Sequence, residues 1–180
     1  MNKTAIILFF VFVMVAAGCQ QKEEPKPQYQ FPAGPVQAGP IQMQDDIKIL
    51  KDAVKKDPKN LNAWIKLGNT LMDTTRFKEA IEAYQKALSI DPKNVDVRVD
   101  MGTCYKNTGR PDIAVKEYRK ALAINPNHLY GRKNLGVVLA FDLNDRAQAI
   151  KEFEKYLELA PNAPDAMQVR QEMQKLKEAK

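Results

Sequence analysis

Four prolines, Pro58, Pro92, Pro126 and Pro161, punctuate the chain at intervals of 34, 34 and 35 residues, and this period limits the fold more than any other feature. The residues around each proline repeat with it: Asp57-Pro58-Lys59-Asn60, Asp91-Pro92-Lys93-Asn94, then Asn125-Pro126-Asn127. Gly68, Gly102 and Gly136 keep the same spacing, each after an apolar residue (Leu67, Met101, Leu135). Ala80, Ala114 and Ala149 follow, then Tyr84, Tyr118 and Phe153, then Ala87, Ala121 and Tyr156. Self-similarity at such a period marks stacked supersecondary units, each unable to bury its apolar face alone.

Between these markers the apolar residues recur every three or four positions, the period of an amphipathic helix. Trp64, Leu67 and Leu71 share one helix face, and Ala80, Ile81, Tyr84, Ala87 and Leu88 share a face of its partner. Gly68 and Ala80 are small enough to let two helices approach closely, with Tyr84 filling the space beside them. Gly109 can take the left-handed conformation that ends a helix, and Asn144 tolerates it. Each proline stands where one helix must stop before the next begins. The expected fold class is all-α, built of antiparallel helix pairs.

At these positions the sequence resembles the tetratricopeptide repeat family. Residues 61–94, LNAWIKLGNTLMDTTRFKEAIEAYQKALSIDPKN, carry the family's markers at Trp64, Leu67, Gly68, Ala80, Tyr84, Ala87 and Pro92, with Leu71 where the family prefers Tyr. Residues 95–128 form a second repeat with Arg98 in the tryptophan place. Residues 129–163 form a third, with Arg132 there, one extra residue between Gly136 and Ala149, and Tyr156 in place of the second alanine. The third helix pair should be the least regular. Asp45–Lys56 resembles a lone second helix, and residues 164–178, with Ala166, Val169, Met173 and Leu176 on one side, resemble the helix that caps such arrays. The resemblance covers residues 45–180 and implies a right-handed superhelical solenoid of about three repeats plus flanking half-repeats.

In that family the first helix of each pair lines a concave groove that takes an extended peptide or a partner helix. Carried over, the groove residues are Asn62, Ile65, Asn69, Met72 and Asp73, then Asp96, Val99, Thr103, Lys106 and Asn107, then Tyr130, Lys133, Val137, Ala140 and Phe141. Any one of them could equally be a solvated surface position. Tyr130 and Phe141 stand out, because exposed aromatics are common interface anchors. Some family members grip a terminal carboxylate with Lys and Asn side chains of the groove. Here only Asn69 matches, while Ile65, Asp100, Tyr130 and Asn134 occupy the other places, so a clamp of that type is not expected.

The first forty-four residues read as address and tether. Lys3 precedes an uninterrupted apolar run over residues 5–17, AIILFFVFVMVAA. Thirteen helical residues rise only about 20 Å, short of the roughly 30 Å hydrocarbon core, so the run suits a secretory signal better than a span. Ala16-Ala17-Gly18-Cys19 resembles the lipobox of bacterial lipoprotein precursors, with Ala16 where Leu is usual. That resemblance implies a signal peptide over 1–18, cleavage before Cys19, and acylation of Cys19 through a diacylglyceryl group, palmitate being a typical chain. Two or more acyl chains anchor stably, at about 0.8 kcal/mol per buried CH₂. Gln20 stands where many such lipoproteins have an inner-membrane retention Asp, which points to the outer membrane of the cell envelope. Residues 19–44 hold Pro25, Pro27, Pro32, Pro35 and Pro40 and no apolar period, so the lipidated Cys19 should be followed by a disordered, partly polyproline tether.

Composition excludes more than it assigns. With 44% hydrophobic and 28% charged residues the chain can build a packed core. A formal charge of +6 is spread among alternating Lys and Glu on helix faces, with no basic stripe, so no nucleic-acid partner is expected. The single histidine, His128, follows Pro126-Asn127 in a turn and reads as a helix cap or surface residue. No nucleophile–base pair, phosphate loop or paired-cysteine site occurs, so neither catalysis, a metal nor a cofactor is expected. Cys104 reads as a small buried hydrophobe. The expected partner is a protein or peptide of the cell envelope, with the membrane engaged through the lipid anchor. A pilotin-like role toward a secretin or pilus, or a structural role at the membrane surface, are the competing readings.

Overall fold

The structure is a computed structural model that describes residues 40–178, with side chains from residue 43. The apolar run over 5–17, the lipobox with Cys19 and the proline-rich segment up to residue 39 lie outside the described residues. Among the described residues eight α-helices follow one another: α1 Pro40–Lys56, α2 Leu61–Asp73, α3 Phe77–Ile90, α4 Val95–Asn107, α5 Pro111–Ile124, α6 Leu129–Val137, α7 Arg146–Leu159 and α8 Ala166–Glu178. There is no strand among the described residues, and no helix there is long and apolar enough to cross a membrane. The chain is a right-handed solenoid of antiparallel pairs, α2 with α3, α4 with α5 and α6 with α7. Helices α1 and α8 pack on the outer pairs, and α2, α4 and α6 lie side by side.

Helix α1 begins at Pro40, five residues before the expected Asp45, so the end of the segment read as a tether is helical. Proline at a first helical position needs no donor and already has a helical φ. Ile47 and Val54 of α1 are buried, while Leu50 and Ala53 are only partly so.

The repeated Asp-Pro-Lys-Asn motif is a turn-and-cap device. The Asp57 and Asp91 carboxylates accept from the backbone N–H of Lys59 and Lys93, each at 3.1 Å, and Asn125 does the same for Asn127. Asn60 and Asn94 then cap α2 and α4 by accepting from Ala63 and Val97. Such caps contribute about 1 kcal/mol each. Six residues after each proline the Trp64 indole donates to the Pro58 carbonyl at 2.9 Å. Arg98 donates to the Pro92 carbonyl at 2.8 Å and Arg132 to the Pro126 carbonyl at 2.5 Å. Arginine therefore replaces tryptophan by keeping its hydrogen bond. Its charge is met by a carboxylate that the first repeat lacks, Glu117 for Arg98 and Glu152 for Arg132, where the first repeat has Ala83.

The three glycines are steric necessities. A Cβ on Gly68, Gly102 or Gly136 would stand 2.4, 2.7 or 2.6 Å from the ring of Tyr84, Tyr118 or Phe153. The rings close the angle within each helix pair and are almost completely buried. Gly109 and Asn144 take positive φ at the ends of their turns, and so does Thr75 at the equivalent place in the first repeat, φ 59°. The extra residue of the third repeat is absorbed as a π turn, Val138–Asp142, which continues α6 and packs against α5 and α7. Cys104 is completely buried and unpaired, and burial beside Asp100 pushes its thiol up to about 12, which disfavours the thiolate.

Candidate functional site: the concave face of α2, α4 and α6

Most of the residues expected to line the groove reach its surface. Asn62, Asn69, Asp96, Tyr130 and Phe141 are exposed, with Asp73 and Asn107, while Ile65, Met72, Thr103, Lys106, Lys133 and Val137 are half-buried. Val99 and Ala140 are buried, Ala140 within the core and Val99 while still lining a concavity of this face. Val99 lies under the close approach of α4 and α6, where its methyl carbon would stand 3.0 Å from a Cβ on Gly131. Ala140 sits in the π turn, whose contact with α5 and α7 covers it.

The floor changes character along the array. In the first repeat Tyr84 donates from its hydroxyl to the Asn69 side-chain oxygen at 2.8 Å. In the second, the Tyr118 hydroxyl and Thr103 Oγ1 are 3.1 Å apart. In the third, the same two places hold Phe153 and Val137, so the polar pair becomes an apolar one. There the floor opens into a concavity of about 420 Å³, where Val137, Phe141, Phe153 and, from α8, Val169 form an apolar patch among the polar Lys133, Asp165, Gln168 and Glu172. The capping helix is thus also a wall of the site, which repeat counting alone does not reveal. Its rim is fixed by Lys133, whose Nζ donates to Asp165 at 2.6 Å and lies 5.4 Å from the centre of the Tyr130 ring.

Beside this apolar end lies a second concavity of about 430 Å³, bordered by Asp96, Val99, Asp100, Thr103, His128, Tyr130 and Asn134. His128 is the cap of α6: its Nδ1 accepts from the Gly131 backbone N–H at 3.0 Å. That bond leaves the proton on Nε2, which donates to Asp96 at 2.8 Å and ties α6 to the start of α4. Burial, with Asp96 and Asp73 adding repulsion, pushes the Asp100 carboxyl up to about 6. His128 is the group that opposes the rise. Asp100 has neither a hydrogen bond nor an ion pair among the described residues. The sequence carried a signal for it, since Asp96 and Asp100 stand four apart on one helix face.

Among the described residues no cluster of His, Cys, Asp and Glu side chains is arranged to hold a metal ion. The arrangement offers instead a concave strip with an acidic centre, an apolar end and two uncovered aromatic rings. Tyr130 is 68% exposed and Phe141 59%. Aromatic side chains left in water beside an apolar concavity present the chemistry of a docking surface.

A family model described as the cytochrome c-type biogenesis protein H TPR domain matches residues 37–167. No curated protein matches the chain. Among solved structures, two crystal structures of MamA are similar in fold. One has TM-score 0.71 at 23% identity, over 76% of this chain and 78% of that one. The other has TM-score 0.70 at 24% identity, over 76% and 72%. The Yersinia enterocolitica type III secretion chaperone SycD, in complex with a peptide of the translocator YopD, gives TM-score 0.61 at 16% identity, over 65% of this chain and 92% of that one.

Proposed function

This chain belongs to the family described as the cytochrome c-type biogenesis protein H TPR domain, and on that premise we propose that it is a membrane-tethered scaffold that binds a protein or peptide partner of the cell envelope in its concave groove. The observation that carries the reading is the pair of exposed aromatic rings, Phe141 at the concavity between α6 and α8 and Tyr130 at the one between α4 and α6, on the face that α2, α4 and α6 share. Binding a partner there removes apolar surface that folding alone leaves in water, at about 25 cal/mol per Å². SycD, with the same fold, is a chaperone solved with a peptide of its translocator, which supports a peptide-binding role for such a solenoid. The family's description names cytochrome c-type biogenesis. The buried Cys104, with its thiolate disfavoured, suits a part in holding protein rather than in exchanging thiols.

Tethering rests on the lipobox. Ala16-Ala17-Gly18-Cys19 after an apolar run supports a lipid anchor at Cys19, and Gln20 supports the periplasmic face of the outer membrane. The experiment is cross-linking and affinity capture from native envelopes with wild type, with Tyr130→Ala/Phe141→Ala and with Cys19→Ala, each checked for folding. Partners that vanish with the aromatic variant establish the groove. Partners that persist place binding elsewhere on the chain. Labelled palmitate should enter the wild-type chain and not Cys19→Ala; incorporation into both removes the anchor.

A further inference from the structure

Resting on the groove reading, we propose that the occupant is a basic amphipathic segment of a partner protein, with an apolar side chain in the concavity between α6 and α8 and a lysine or arginine over Asp73, Asp96 and Asp100. Four observations converge on that chemistry. The floor turns from polar to apolar at one place, where Asn69–Tyr84 and Thr103–Tyr118 give way to Val137–Phe153. A ligand that fits this face must carry the same step in polarity along its length.

The polar half is acidic although the whole chain is basic, at +6. Its negative floor is therefore a local arrangement and no echo of the overall charge. The charged groups that bear on Asp100 are Asp96, Asp73 and His128. His128 already spends its Nε2 proton on Asp96 and its Nδ1 on the α6 backbone. Lys133 on the rim is paired with Asp165, and Lys106 of the groove is not among the charges that bear on Asp100. Asp100 is thus left for a cation supplied from outside, which Asp96 and Asp73 would also attract.

The two halves are also close enough for one segment. Tyr130 and Asn134 border the acidic concavity, and Lys133 and Val137 border the apolar one, all on α6 within two turns. On a partner helix an apolar residue and a cation three or four positions apart would reach both. An acidic segment would place like charges together, and a purely apolar one would leave Asp100 desolvated without a partner.

The test titrates the full chain with a labelled amphipathic peptide of about 16 residues, leucines on one face and lysines beside them, and with its glutamate counterpart. The lysine peptide should bind about tenfold tighter or more than the glutamate peptide. Asp100→Asn should remove most of that preference, and a Tyr130→Ala/Phe141→Ala chain should weaken both peptides. Equal affinity for the two peptides, still sensitive to the aromatic variant, overturns the basic occupant and leaves the groove reading standing. Peptide binding that ignores the aromatic variant overturns the groove reading itself. Occupation of the apolar concavity by a free fatty acid that blocks both peptides equally, with no charge preference, also overturns the proposal.

Discussion

Thr75 and Asp100 are kept at places where their chemistry is unfavourable. Thr75 holds φ at 59°, where its Cβ crowds the backbone, while the matching turns use Gly109 and Asn144. Thr75→Asn should therefore stabilise the chain by about 0.5–1 kcal/mol, read as a higher urea midpoint with unchanged slope; an unchanged or lower midpoint means the turn carries no strain. Asp100 is different in kind, because its penalty depends on pH. Its folded value, about 6, lies above the ordinary 3.8, so between those values the unfolded chain is ionised while the native one keeps its proton. Stability contributed at low pH is then lost as pH rises from about 4 to about 6, by about 2 kcal/mol. Glu79, held down by Lys51 and Arg76, and Asp165, held down by Lys133 and Tyr156, act in the opposite sense and lower in pH, losing stability as they are protonated. Asp100→Asn should flatten the curve between pH 4 and 6 and leave the acid limb unchanged. A variant curve parallel to wild type would show that Asp100 is solvated. A residue whose removal stabilises the fold at neutral pH is retained for something other than the fold, which is the argument for placing it in the site.

Each repeat solves the same packing problem with a matched set of side chains, so residues change together. Trp64 stands with Ala83, Arg98 with Glu117 and Arg132 with Glu152. Glu117 is 6% exposed and bound by both Arg98 and Lys120. Arg98→Trp alone keeps the bond to the Pro92 carbonyl but leaves Glu117 with Lys120 only, and should destabilise by about 3 kcal/mol. Glu117→Ala alone strands the guanidinium and should do similar harm. The double variant recreates the first repeat and should lie within about 1 kcal/mol of wild type, a strong coupling in a double-mutant cycle; additive losses would mean the two sets are independent. Periodicity alone places the helices, the glycine–ring contacts, the left-handed Gly109 and Asn144, and the cap role of His128, because each follows from local spacing or backbone sterics. Ala140 is misplaced by the same spacing, since its burial comes from a π turn that a period of 3.6 does not contain, whereas Val99 is buried yet still lines the groove concavity. The carboxylate partners of Arg98 and Arg132 lie 19 and 20 residues on, in the next helix. They become visible only when the repeats are compared with one another column by column.

A solenoid has ends, and the ends decide how far its order extends. Each helix pair contacts only its neighbours, so stability is a sum of pair terms and interface terms, and a terminal pair lacks one interface. At the amino end α1 covers α2 with Ile47 and Val54. At the other end α8 is joined to the third repeat by two kinds of contact. Val169 seals the apolar concavity above Phe153. Asp165 binds both Lys133 of α6 and the hydroxyl of Tyr156, which replaces the small alanine of earlier repeats and reaches past α7. The third pair also carries the π turn, which makes it the least regular of the three. Ending the chain after Pro164 should therefore expose Phe153 and Tyr156, remove the partner of Lys133 and destabilise α6 and α7 by about 3 kcal/mol. Hydrogen exchange should show this as faster exchange confined to α6 and α7, with α2 to α5 still protected and a second, earlier step in the urea transition. A single transition at the wild-type midpoint would mean that α8 is an appendage. Because α8 also walls the apolar concavity, the shortened chain should lose affinity for an apolar ligand before it loses its helices. Stability of the last repeat and occupancy of the groove are thus coupled, and a partner seated there should protect α6 and α7 in the intact chain.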